Sequence, residues 1–322
     1  MRSKETSATG PPAQSGVKVL SDPMHDANPV DYIDAFLTAQ DVAGISVSTY
    51  RRRIKQFSLW VADNNVQLPT REDILLYKHY LEERGLSPAT ISSYLVCVRR
   101  LFAWMQTTGL YPNIAEGIKG MKRPRGFRKD PLTVEQAKEL LDSVPRDDFI
   151  GKRDFALINL LIRTGLRTIE IIRADVGDIR QNSSDTLLYV QGKGRADKDD
   201  FVILTPGALK PVNIYLAERG KLKEGDPLFV STSNLNRDCR LSTRAISEIV
   251  RHRLSQVGLH SSRVTAHSLR HTAITLALKG GATLQEAQML ARHSDINTTL
   301  IYAHNLDRIE AAPEKKIDSL LV

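Results

Sequence analysis

The sequence predicts a mainly α protein with a small antiparallel sheet, split into an all-helical N-terminal block and a mixed α/β block. Three observations predict it. Apolar residues recur at helical spacing through residues 28–117. The helical pattern resumes after residue 131 and is broken once, between residues 176 and 204, by short β-rich runs around a Gly- and charge-rich turn. Between the blocks, KGMKRPRGFRKDP (Lys119 to Pro131) has no periodicity, is dense in Lys and Arg, and is broken by Pro124 and Gly126.

Along the first block, Tyr50, Ile54, Phe57 and Val61 fall on one helical face of residues 47–64, with Arg52 and Lys55 elsewhere on the wheel. Thr70 is placed to cap the next helix, and Gly85 to stop it in a left-handed conformation. Ser87 and Pro88 open a third helix, whose stripe is Ile91, Leu95, Val98, Phe102 and Met105; Arg99 lies off that stripe. In the second block, Thr133 and Gln136 have capping-box spacing. Residues 152–163 form a strongly apolar helix stopped by Gly165. Residues 176–179, 186–191 and 201–204 are strand candidates, and helix returns from Thr243. Thr283 and Glu286 repeat the capping box after a helix ended by Gly280 and Gly281. The segment 305–322, with Ile317, Leu320 and Leu321, reads as a short helix whose apolar side needs a partner.

The 322 residues allow two domains. A net charge of +8 favours an anionic partner, most often nucleic acid. Cys97 and Cys239 lie far apart, so no disulfide is expected and the compartment reads as reducing and cytoplasmic. No apolar run is long enough to span a membrane. Residues 1–27, rich in Ser, Thr, Gly and Pro and lacking an apolar signal core, read as a flexible tail.

The stretch TAHSLRHT, from Thr265, admits two readings. His267 and His271 are four apart, a metal-ligand spacing on a helix. His267 and Arg270 are three apart, a spacing that puts an imidazole and a guanidinium on one phosphate. A zinc site wants a third ligand, and a hydrolytic one usually has Glu between the histidines. Here Ser268, Leu269 and Arg270 intervene, and a guanidinium beside a dication is unfavourable. The phosphate reading is therefore preferred, and neither a metal nor another cofactor is expected. Arg offers a planar fork for phosphate oxygens, and His exchanges protons near neutral pH.

Four motifs in order, RTGLRTIEI, VQGKG, TAHSLRHT and ARHSDINTTLIYAH, resemble those of the tyrosine recombinases of the lambda-integrase and Xer type. The resemblance covers nearly the whole chain. It implies a core-binding, SAM-like DNA-gripping domain over residues 28–117, a basic linker over 118–131, and a tyrosine-recombinase catalytic domain with a C-terminal tail helix over 132–322. By position it implies catalytic Arg167, Lys193, His267, Arg270, His293 and the nucleophile Tyr302, supported by Glu170. Two departures stand out. Arg292 occupies a place where the family often has Gly, and the residues after Lys193 leave the usual pattern, making Lys198 or Arg195 its fallback. Arg52, Lys55, Arg99, Lys122, Arg123, Arg125 and Arg128 are the candidate DNA contacts, although the linker cations also suit a merely solvated segment.

The chemistry fits these roles. A tyrosine hydroxyl ionises near pH 10, so it needs help at neutral pH. Arg167 and Arg270 would hold the non-bridging oxygens, Lys193 would protonate the leaving 5′ oxygen, and His267 would take the tyrosine proton or bind phosphate. His293 would donate to phosphate, Glu170 would orient His267 or an arginine, and His271 and His304 would stay outside the chemistry. A 3′-phosphotyrosyl link conserves bond energy, so strands rejoin without ATP. The implied partners are double-stranded DNA and three further copies of the chain, a tetramer joined by tail exchange on a Holliday junction. The implied use is integration and excision or chromosome and plasmid resolution, with a lean toward a mobile element. The rivals are a monomeric type IB topoisomerase-like enzyme and an architectural DNA protein with a dead site.

Overall fold

The computed structural model describes residues 29–41, 44–122, 129–192, 194–311 and 313–321. The chain divides at residues 124 and 125 into two compact units.

In the first unit a 3-10 turn (Pro29–Tyr32) leads into α1 (Ile33–Thr38), α2 (Gly44–Asp63), α3 (Arg71–Glu83) and α4 (Pro88–Thr107). The punctuation works as its chemistry dictates. Thr70 and Asp73 close a reciprocal capping box at α3, Gly85 takes φ +67°, and Ser87 caps α4 with Pro88 in its first turn. The core is Phe36, Ile54, Phe57, Ile74, Tyr77, Leu81, Leu95 and Phe102, all buried. Phe57 meets Tyr77 edge-on at 5.0 Å. Tyr111 then donates its hydroxyl to the Pro69 carbonyl at 2.8 Å, tying the chain after α4 back to the start of α3.

The second unit runs α5 (Val134–Ser143), α6 (Phe149–Thr164), α7 (Thr168–Arg173), a 3-10 turn (Val176–Asp178), β1 (Ile179–Asn182), β2 (Asp185–Val190), β3 (Asp200–Ile203), α8 (Pro206–Glu218), α9 (Thr243–Gln256), α10 (Ala266–Lys279), α11 (Leu284–Ala291), α12 (Asn297–Ala311) and α13 (Pro313–Leu321). Helix α6 is apolar on nearly every side because it is the centre of this unit, packed by α8 on one flank and α10 on another. The sheet has the order β1-β2-β3 and is antiparallel throughout, with Arg180 opposite Leu187 and Leu188 opposite Val202.

Two expectations need correction, and one helix lies where the sequence pattern assigned no element. Residues 176–178 are a 3-10 turn rather than a strand: Asp178 accepts the Asp175 backbone N–H at 2.7 Å, closing a capped turn, and the strand begins only at Ile179. Helix α8 carries Pro206, Gly207 and Pro211, residues that ordinarily break helices. Pro206 in fact occupies the first turn, and the Gly207 carbonyl that Pro211 leaves without its helical donor accepts Asn159 Nδ2 at 2.8 Å. The C-terminal segment is not one short helix from residue 305: α12 runs unbroken from Asn297 to Ala311, and Pro313 opens α13.

Candidate active site

The loop between α6 and α7 builds the first part of the site. Gly165 ends α6 at φ +61°, where a side chain would be strained. The chain then turns so that Arg167 caps α7. Glu170, in the first turn of that helix, accepts the Arg167 backbone N–H at 2.7 Å through Oε2 and its guanidinium at 2.8 Å through Oε1. Glu170 is fully buried. Burial alone would push its carboxyl upward, but Arg292 and Arg167 hold it below the ordinary carboxylate value. Among the described residues its carboxylate is bonded by arginines.

Helix α10 supplies the second part. His267 lies in its first turn, and Arg270, one turn on, is 3% exposed. Arg270 donates to the carbonyls of Gly165 and Ala291, so its guanidinium locks the α6–α7 loop to the end of α11. Arg167, His267, Arg270, Arg251 and His260 line one cleft of about 350 Å³. Partial desolvation there, with Arg270 and Arg167 close by, lowers the His267 pKa.

The third part comes from α11 and α12. Arg292 ends α11 in the left-handed region at φ +50°. His293 Nδ1 pairs with Thr299 Oγ1 at 3.0 Å, and its carbonyl accepts Gln288 Nε2 at 2.9 Å. Tyr302 is 4% exposed, packed with Ile274, Ala287 and Ala291. Its hydroxyl lies 2.6 Å from His271 Nδ1. Four rings make a chain: His267 to His271 at 4.7 Å, His271 to Tyr302 at 5.4 Å, and Tyr302 to His293 at 6.4 Å. Burial pushes Tyr302 up to about 12 despite Arg270 and Arg167. Burial and neighbouring positive groups bring His271 and His293 down to about 4 each, so both are neutral near pH 7.

The structure thus gathers Arg167, Glu170, His267, Arg270, His293 and Tyr302 through an unbroken series of contacts. Lys193 lies outside the described residues, as do Arg123, Arg125 and Arg128. The fallback cations are engaged elsewhere. Lys198 is ion-paired to Asp175 at 2.6 Å and to Asp178, and Arg195 to Asp199. In the first unit Arg52, Lys55 and Lys122 are exposed, while Arg99 is half-buried and donates to the Ile118 carbonyl at 3.2 Å.

Two side chains enter the site that sequence reasoning set aside. His271, expected to stay outside the chemistry, lies at hydrogen-bond distance from the Tyr302 hydroxyl; the signal for it is the four-residue spacing from His267, which also suits a metal. Arg292 was noted only as a departure from Gly, yet it donates to Glu170 at 2.7 Å with its side chain 6% exposed.

Comparison with known proteins matches both units of the chain. The phage integrase family matches residues 131–308, and the phage integrase N-terminal SAM-like domain matches residues 30–109. A tyrosine recombinase XerC of Pelobacter propionicus is 29% identical over 284 residues, 86% of this chain and 91% of the relative. The XerC of Chlamydia caviae is 31% identical over 239 residues, 73% of each. Among solved structures, XerH bound to its difH substrate in a pre-cleavage complex superposes with a TM-score of 0.72 at 19% identity, covering 90% of this chain and 98% of that one. A lambda integrase dimer bound to a core site gives 0.67 at 16% identity, covering 85% and 93%. The matched segments and the aligned relatives make this chain a member of the phage integrase family, a tyrosine recombinase that breaks and rejoins DNA strands at specific sites.

Proposed function

We propose that Tyr302 is the nucleophile, and that Arg167 and Arg270 hold the two non-bridging oxygens of the scissile phosphate in the cleft that His267 shares. The single observation that carries this reading is the convergence of two arginines and a histidine on one cleft, with the tyrosine joined to it by the His267–His271–Tyr302 ring contacts. Two guanidinium groups supply the positive field that the extra charge of a pentacoordinate phosphorus needs. His293 donates to the same phosphate. With Tyr302 near 12, only about one hydroxyl in 10⁵ is ionised at pH 7. Attack therefore needs a proton acceptor, and neutral His271 is within reach at 2.6 Å. Oxygen Oη bonds to phosphorus, the bond to the 5′ oxygen breaks, and that oxygen takes a proton from Lys193. The 3′-phosphotyrosyl link is then reversed by another strand's 5′ hydroxyl, exchanging strands through a Holliday junction.

Double-stranded DNA is the partner in this reading. XerH and lambda integrase were both solved on DNA. Residues 28–117 act as the core-binding domain, 118–131 as the linker, and 132–322 as the catalytic domain. Arg52, Lys55 and Lys122 contact phosphates, working in the cytoplasm. In α13, Ile317 is 55%, Leu320 85% and Leu321 80% exposed. This face docks on a neighbouring copy to make a tetramer on DNA. A chain ending at Ala311 should bind DNA as a monomer but lose higher complexes in a mobility-shift titration. Complexes identical to those of the full chain would sink the tail exchange.

The decisive experiment is covalent trapping on a nicked-duplex library, with and without EDTA, for wild type and Tyr302→Phe. Nicks let the cleaved strand diffuse away, so the adduct accumulates. An adduct in wild type that survives EDTA and vanishes in Tyr302→Phe is expected, and sequencing it gives the target. An adduct that persists in Tyr302→Phe overturns the assignment.

A further inference from the structure

The end of α11 carries three consecutive carbonyls, and each accepts from an arginine. Leu290 O takes Arg292 Nη1 at 2.8 Å, Ala291 O takes Arg270, and Arg292 O takes Arg167 Nη2 at 3.3 Å. This turn therefore sets where both cleft arginines sit. Its geometry depends on Arg292 holding φ +50° and ψ +49°. That conformation is strained for an L-residue and free of strain for glycine. The side chain adds to that cost, because its guanidinium is buried and its Nε has no hydrogen-bond partner among the described residues. Glycine would avoid both costs. What the arginine gains is a bond to Glu170 Oε2 at 2.7 Å, the same carboxylate that fixes Arg167.

We propose that Arg292 is a positioning residue of the cleavage step: its fork joins Glu170 to the α11 turn and thereby fixes Arg167 and Arg270 relative to one another. The inference rests on the reading that these two arginines hold the scissile phosphate. The carboxylate is a shared hub. Oxygen Oε1 is taken by the Arg167 side chain, and Oε2 by both the Arg167 backbone and Arg292. Without Arg292, Glu170 keeps only Arg167 and swings with it, while Leu290 O loses its donor. The effect falls on the rate of reaction rather than on affinity, because a small displacement of a group holding the reacting atoms is felt most in the transition state. A lysine keeps the charge but is a point donor on a flexible stem, and it does not bridge Glu170 and Leu290 O as a fork does.

The test is a cycle of wild type, Arg292→Gly, Glu170→Gln and the double variant, with Arg292→Lys beside them. Each is measured for single-turnover cleavage of the trapped nicked duplex, for affinity to it, and for thermal melting. Arg292→Gly should fold, helped by its relaxed backbone, and bind DNA as wild type does. It should cleave about tenfold to a hundredfold more slowly. The double variant should be no slower than the slower single, and Lys should fail to restore the rate. The melting temperatures should show the same non-additivity, which tests the Arg292–Glu170 link without any cleavage. Wild-type cleavage by Arg292→Gly or Arg292→Lys, or independent effects of the two sites in both rate and melting, overturns the proposal. Failure of wild type itself to form an adduct, with coupled melting intact, strikes the nucleophile reading and leaves this link standing.

Discussion

The second unit holds two buried carboxylates, each between two arginines, and they are put to different ends. Asp154 on α6 binds Arg153 at 2.7 Å and Arg253 of α9 at 2.8 Å. Arg153 spends its remaining reach on Val230 O and Thr232, and Arg253 on Gln256; all three charged side chains are under a tenth exposed. Every donor is turned inward, so the cluster is a bolt between α6 and α9. Glu170 looks similar on paper, but Arg167 is 28% exposed and lines the cleft. The lesson is that an arginine–carboxylate–arginine triad is read by whether one of its arginines still opens on a cleft. The Asp154 cluster is closed on every side and ties two helices together. The Glu170 cluster also bonds protein carbonyls, but its Arg167 keeps a part-exposed face on the cleft.

The comparison is broken most forcefully by crossing the two sites. Asp154→Ala strands two buried guanidinium groups and should lower the unfolding free energy by about 3–5 kcal/mol in a denaturant titration. Arg167→Ala leaves Glu170 with Arg292, so its loss of stability should be far smaller. Its single-turnover cleavage should nevertheless fall about a hundred- to a thousandfold. If the two variants lose stability equally, the cleft triad is structural too and the distinction fails.

The site residues come from the resemblance, while local punctuation in the sequence places some of the elements that carry them. Gly165 announces the turn before Arg167, and Thr283 opens the helix that ends at Ala291, just before Arg292. Local rules place local residues. What stayed hidden depends on contacts far along the chain. Tyr302 meets His271 across 31 residues, and Arg292 meets Glu170 across 122. Spacing along one helix cannot say which ring a distant hydroxyl will choose, so the sequence offers His271 only as half of a metal-ligand spacing. Helix α8 was hidden for a related reason: its Pro211 is tolerated only because Asn159, on another helix, satisfies the freed carbonyl. The 3-10 turn at Val176 depends on a carboxylate cap that a strand-like composition does not announce.

The smallest expected effect separates the two triads by pH. Histidines crowd the cleft side, and both His271 and His293 are brought from 6.5 to about 4 in the folded chain by burial and nearby positive groups. The unfolded chain takes up those protons once pH drops below about 6.5, while the folded chain resists until about 4. Their contribution to stability is thus complete above the unfolded value and is lost as pH falls through this window. Each histidine contributes at most about 1.4 kcal/mol per pH unit. Glu170, also lowered, adds its loss only further down, below the ordinary carboxylate value. Denaturant titrations at pH 7, 6 and 5 should show declining stability, and His271→Asn should flatten the slope by up to one proton. A bound phosphate favours the protonated rings, so DNA should move the window upward. An unchanged slope in His271→Asn would mean that this ring titrates at its ordinary value, and the desolvation by burial inferred for it beside Tyr302 would fail.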